Sequence, residues 1–130
     1  MTRPRSSQLQ IIATTEAGTR AAMLQAKRRS AISATDRIVL IVPRPLPGIP
    51  QDAASTVQRY RRMANECGLD VVVRLCLVGG RRRRHALQQM IPKGAVAIVG
   101  GSQRWWWPTD EQRIATALGR AGHEVIFASA

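Results

Sequence analysis

An open, parallel α/β sheet with helices on both faces is the architecture this sequence predicts, on three observations. Five short apolar runs, Leu9–Thr14, Arg37–Pro43, Asp70–Val78, Ala95–Val99 and Glu124–Ala128, are separated by segments with helical spacing or helix punctuation. Two of them, Ile38-Val39-Leu40-Ile41-Val42 and Ala95-Val96-Ala97-Ile98-Val99, are apolar at every position rather than every second one, as strands covered on both faces require. Glycine pairs, Gly79-Gly80 and Gly100-Gly101, follow the third and fourth runs, where a chain leaving a strand turns towards the next helix.

Each connecting segment reads as a helix. The first is expected over about Thr19 to Ser33, with Ala22, Met23, Ala26 and Ile32 facing inward. In the second, Ala53, Val57, Tyr60, Ala64 and Cys67 recur in steps of three or four and form one face, Arg59, Arg61 and Arg62 lie mostly away from it, and Gly68 ends it. The third, about Arg82 to Ile91, rests on Leu87, Met90 and Ile91. The fourth starts at Thr109, whose pairing with Gln112 makes a capping box, and Asp110 and Glu111 suit the positive end of its dipole. Its inward face is Ile114, Ala117, Leu118 and Ala121, and Gly122 stops it. Between Pro43 and Pro50 stand four prolines in eight residues, which remove donors and fix φ, so a stiff irregular loop is expected after the second strand. Residues 1–7 are expected to form a flexible tail and residues 8–130 a single domain.

A chain of 130 residues with 45% apolar content builds one core. Its longest apolar runs fall far short of the roughly 20 residues of a membrane span, and the basic N-terminus is followed by no signal-type apolar stretch, which predicts a cytosolic protein. The formal charge of +12, from 20 basic and 8 acidic residues, favours polyanions and anionic membranes. Arginine outnumbers lysine 18 to 2, a skew that a GC-rich genome also produces, so charge alone does not name a partner. Cys67 and Cys76 fit neither a disulfide framework nor a metal-ligand spacing; both are expected to be small buried hydrophobes, and no metal site is predicted.

The order β-α-β-loop-α-β-α-β-α-β, with a proline-rich exit from the second strand and a glycine pair after the fourth, resembles the universal stress protein family over roughly residues 8 to 129. That resemblance implies the adenine-nucleotide-alpha-hydrolase-like fold with strand order 3-2-1-4-5. In nucleotide-binding members an acidic residue ends the first strand and a loop of pattern G-x2-G-x9-G-[S/T] after the fourth wraps the phosphates. The matching segments here are Ile12-Ala13-Thr14-Thr15-Glu16 and Val99-Gly100-Gly101-Ser102-Gln103-Arg104-Trp105-Trp106-Trp107-Pro108. Thr15 or Glu16 falls at the acidic position; Gly100 meets the first loop position, Gln103 replaces the second glycine, and no Gly-Ser pair follows, so the loop is degenerate. The resemblance implies ATP or another adenine nucleotide as ligand, held by Thr14, Thr15, Val42, Gly100, Gly101, Ser102, Gln103 and Arg104. The segment from Arg104 to Phe127 also looks like versions of this domain attached to membrane transporters, which implies a possible transporter association.

Strands one and four of such a sheet flank the topological switch point, where open α/β sheets bind ligands. Gly100-Gly101-Ser102 and Arg104 either hold an anion through N–H groups, hydroxyl and guanidinium, or simply make a tight turn. The Arg81–Arg84 run opens the third helix, where four guanidiniums add to an end that already favours anions; it reads equally as a solvated basic face. Trp105–Trp107 beside Arg104 suits either base stacking or packing at an interface. His85 and His123 are paired with no nucleophile by motif, so no catalytic residue is assigned.

The expected function is therefore that of a non-catalytic, universal-stress-protein-like regulatory binding module, acting through a dimer or partner. The alternative is a basic nucleic-acid-associated protein using Arg81–Arg84 and Trp105–Trp107. With strand order 3-2-1-4-5, Val125, Ile126, Phe127 and Ala128 form an apolar edge strand guarded only by Glu124, and pairing with a second copy closes that edge. Dimerisation through strand five is also what the resemblance implies.

Overall fold

Leu9–Ile12 form β1, and all four residues are buried because this strand lies in the middle of the sheet. The computed structural model of the chain describes residues 8–32, 38–45, 50–78, 83–102 and 109–130. Within them β1 is followed by α1 (Glu16–Ile32), β2 (Ile38–Pro45), α2 (Pro50–Glu66), β3 (Val72–Val78), α3 (Arg83–Met90), β4 (Val96–Gly101), α4 (Asp110–Arg120) and β5 (Glu124–Ser129). The strands pair in parallel in the order β3-β2-β1-β4-β5, as expected. Helices α1 and α2 pack on one face of the sheet, and α3 and α4 on the other.

Successive strand residues point to opposite faces, so each inner strand feeds two cores. Leu9, Ile11, Leu40 and Ile98 meet Met23 and Ala26 of α1 and Tyr60, Met63 and Ala64 of α2. Ile12, Val39, Ile41 and Val99 meet Leu87 of α3 and Ile114 and Leu118 of α4. This two-sided burial is why the β2 and β4 runs carry no polar alternation. Gln10 is the exception inside β1: it is 3% exposed, and its amide donates to the Gln8 side-chain oxygen at 3.5 Å.

The start of α4 and the ends of α2 and α4 fall at the residues expected for them. The Thr109 hydroxyl accepts from the Gln112 N–H, while the Gln112 side chain accepts from the Thr109 N–H, completing the capping box of α4. Both α2 and α4 close with paired hydrogen bonds around a glycine at positive φ. At Gly68 these run from Gly68 N to Asn65 O and from Leu69 N to Ala64 O; at Gly122 they run from Gly122 N to Gly119 O and from His123 N to Leu118 O.

Several boundaries differ from expectation. The proline-rich stretch is not irregular throughout: β2 continues to Pro45 and pairs with β3 through Pro43↔Cys76 and Pro45↔Val78. The Ile41 carbonyl accepts from Ala13 N, so Ile41 and, by alternation, Pro43 and Pro45 direct their ladder groups towards β1. Since β1 ends at Ile12, the missing proline donors fall where no partner strand runs, and the ladder to β3 loses nothing. Pro50 opens α2, a position that needs no N–H donor. Helix α1 starts at Glu16 rather than Thr19, because Thr15 caps it. Ala121 is exposed beyond α4, and Cys67 is only half-buried while Cys76 is buried. The tail at residues 1–7 lies outside the described residues. No helix among the described residues is long and apolar enough to cross a membrane.

Candidate functional site

The carboxyl ends of β1 and β4 are joined by direct contacts. After β1 the chain passes through Ala13 and Thr14 to Thr15, whose hydroxyl accepts from Gly18 N at 3.0 Å and whose carbonyl accepts from Thr19 N, the cap of α1. The fully buried Thr19 returns its hydroxyl to the Thr15 carbonyl at 2.8 Å and accepts from Thr14 N at 3.0 Å. The Thr14 hydroxyl crosses to β4 and donates to the Gly100 carbonyl at 2.6 Å. A Cβ on Gly100 would overlap the Gly18 carbonyl oxygen, so the first turn of α1 rests directly on the backbone at the end of β4.

Gly100 and Gly101 are buried strand residues of β4, opposite Ala128 and Ser129 of β5. The Gly101 carbonyl accepts from Ala130 N at 3.0 Å, and a Cβ there would meet the Glu111 side chain of α4. Ser102 is exposed, and its carbonyl accepts from the Thr109 hydroxyl at 3.0 Å, tying the end of β4 to the cap of α4. Val42 is buried in the α1/α2 core and pairs with Leu75, on the β3 side of the sheet. The fold thus brings Thr14, Thr15, Gly100, Gly101 and Ser102 to one edge. Gln103, Arg104 and Trp105–Trp107 lie outside the described residues, as do Gly79-Gly80, Arg81 and Arg82.

Beside this edge, on the α1/α2 face, lies a cleft of about 250 Å³ lined by Thr14, Glu16, Arg59, Tyr60 and Met63. The Tyr60 side chain is buried against the core, and the Arg59 guanidinium lies over its ring, 5.2 Å from the centroid. Glu16, in the first turn of α1, faces Arg20 at 3.6 Å, and Arg20 donates to Glu66 of α2 at 3.2 Å. The Glu66 carboxylate holds the Arg20 guanidinium above its ordinary pKa. Arg20 therefore bridges the two helices that wall the cleft. Among the described residues no carboxylate lies within ion-pair distance of Arg59.

Arg59 lies on the outer face of α2 and Tyr60 in the core, as the helical spacing predicts. That they line a cleft with Thr14 is not legible in the sequence, because nothing in local periodicity says how far α2 rises past the end of β1. The polar phenol of Tyr60 on an otherwise apolar stripe was the available signal. His85 is exposed on α3, and His123 contacts the Gln88 carbonyl at 3.3 Å, both on the opposite face of the sheet.

Two solved structures resemble the chain over nearly its whole length. A universal stress protein from Archaeoglobus fulgidus superposes with a TM-score of 0.68 and 11% identity, covering 94% of this chain and 93% of that one. The chain has the universal stress protein fold. A second universal stress protein, solved in complex with cAMP, superposes with a TM-score of 0.62 and 14% identity over 95% of this chain and 97% of that one. No protein-family model matches the sequence, and no curated protein matches it. Within this universal stress protein fold, the glycine pair that sequence reasoning placed in a phosphate loop completes β4.

Proposed function

We propose that the chain is a regulatory binding module that takes an adenine nucleotide, or another phosphate-bearing anion, at the carboxyl edge of its sheet. The observation that carries this reading is the cleft between Thr14 and Glu16 on one side and Arg59, Tyr60 and Met63 on the other. It lies at the end of β1, next to the point where the strand order reverses, the place where open α/β sheets receive ligands. Its lining combines an aromatic ring, a thioether, the Glu16 carboxylate facing Arg20, and a cation, Arg59, with no carboxylate partner among the described residues, a chemistry that suits a base with a phosphate. The complex of a protein of the same fold with cAMP supports the same ligand class.

The module acts without chemistry of its own in this reading, by changing what a second copy or another protein meets. The Thr14 hydroxyl is donated to a carbonyl rather than to a base, and the two histidines stand on the other face. Association through β5 supplies the dimer: this edge strand carries half-exposed Val125, Ile126 and Phe127, with Ala128 buried behind them.

A thermal-shift titration with ATP, AMP and cAMP tests the ligand class. A concentration-dependent rise in Tm is expected, following the mass-action stabilisation of the folded state. No shift at millimolar nucleotide would remove the nucleotide reading and leave the fold untouched.

A further inference from the structure

Resting on the nucleotide reading above, the geometry points to Arg59 of α2 as the group that holds the ligand's phosphate, and to a nucleoside monophosphate, open or cyclic, as the ligand class. The end of β4 is poorly suited to that task. The Cα positions of Gly100 and Gly101 are covered by Gly18 and by Glu111, which leaves little room for a ligand against the backbone there. The Glu111 side chain presses on Gly101 closely enough that its carboxyl carbon would lie 3.0 Å from an added Cβ. A phosphate placed there meets like charge.

On the α1/α2 side a cation is available. Arg20 is shared between Glu16 at 3.6 Å and Glu66 at 3.2 Å, and Arg59 is the cation of the lining with no carboxylate within ion-pair distance among the described residues. Its guanidinium rests over the Tyr60 ring, a contact that at an exposed site is weaker than a charge-assisted hydrogen bond to phosphate oxygen. Arg59 can therefore turn from the ring to a phosphate at small cost, and its planar fork matches two phosphate oxygens at once. The cleft, of about 250 Å³, is small beside the roughly 300–1,000 Å³ of common ligand pockets, which suits a ligand with a single phosphate held at Arg59.

Isothermal titration of the wild-type protein, Arg59→Gln and Arg62→Gln with adenosine, AMP, cAMP, ATP and inorganic phosphate tests this. Arg59 and Arg62 are both exposed on α2, and only Arg59 lines the cleft, so Arg62→Gln controls for a general loss of positive charge. AMP or cAMP is expected to bind at least about tenfold more tightly than adenosine to wild type and to Arg62→Gln, with ATP no tighter than AMP. In Arg59→Gln that preference is expected to vanish while adenosine binding stays unchanged. An AMP preference that survives Arg59→Gln, or falls equally in Arg62→Gln, overturns the assignment of Arg59 and leaves nucleotide binding intact. ATP binding well above AMP overturns the monophosphate assignment. If no adenine compound binds, the nucleotide reading fails and this inference with it.

Discussion

The Thr14 hydroxyl donates to the Gly100 carbonyl at 2.6 Å, joining positions 86 residues apart and locking the start of α1 to the end of β4. Replacing Thr14 by Val keeps the shape but leaves that partly buried carbonyl without its donor. A loss of about 1–3 kcal/mol is expected, read as a lower urea midpoint with an unchanged slope. An unaltered midpoint would mean that water replaces the hydroxyl freely and that the two strand ends are not coupled through it.

One substitution at two glycines should act in opposite directions. Gly100→Ala drives a Cβ into the Gly18 backbone, which has no flexible end to yield, and is expected to cost about 1–3 kcal/mol or more. Gly119→Ala in α4 meets nothing within 4 Å and removes a flexible residue from a helix, so it should stabilise by about 0.5–1 kcal/mol. Thermal melts of the two variants beside wild type decide the matter; equal effects would refute the close packing of α1 on β4.

The two cysteines should differ in reactivity. Cys76 is buried in β3, and burial pushes its thiol pKa up, whereas Cys67 is half-buried after α2. Under native conditions a thiol reagent is expected to modify Cys67 first and Cys76 only after unfolding. The raised value also carries a pH sign. As pH climbs past the ordinary thiol range the unfolded chain ionises Cys76 before the folded one does, so this residue's contribution to stability is present at neutral pH and is lost on the alkaline side. Cys76→Ala should remove that part of the alkaline decline.

If β5 is the dimer seam, Ile126→Lys places charges on both sides of a two-fold contact and should shift sedimentation at tens of micromolar towards the 14.3 kDa species. Circular dichroism of the same variant checks that the sheet persists, since Ile126 also packs partly on the α1/α2 core. A wild-type protein that sediments only as a monomer at physiological salt, or a dimer that survives Ile126→Lys, would assign the edge to another use.

Much of the fold was legible because burial leaves a local mark. The unbroken apolar runs of β2 and β4 report two covered faces, and the Thr109–Gln112 box and Gly68 and Gly122 mark helix ends by chemistry acting within a few residues. The same local logic failed at Pro43 and Pro45. Whether a strand tolerates proline depends on which neighbour its missing donor faces, and that neighbour, β1, lies some thirty residues earlier in the chain.

By itself, then, the sequence determined the element order, the inner strands, the cap of α4, the glycine stops of α2 and α4 and the apolar edge of β5, all of which follow from periodicity and from hydrogen-bonding demands met nearby. Tertiary structure alone decided the candidate site. Thr14 comes within hydrogen-bond reach of Gly100 only because β1 and β4 are neighbours in the sheet, and Arg59 and Tyr60 meet Thr14 and Glu16 only because α2 packs beside α1. Residue spacing holds no record of such meetings, since the contacts that create a cleft are made between segments whose separation in the chain is set by topology and not by helical or strand period.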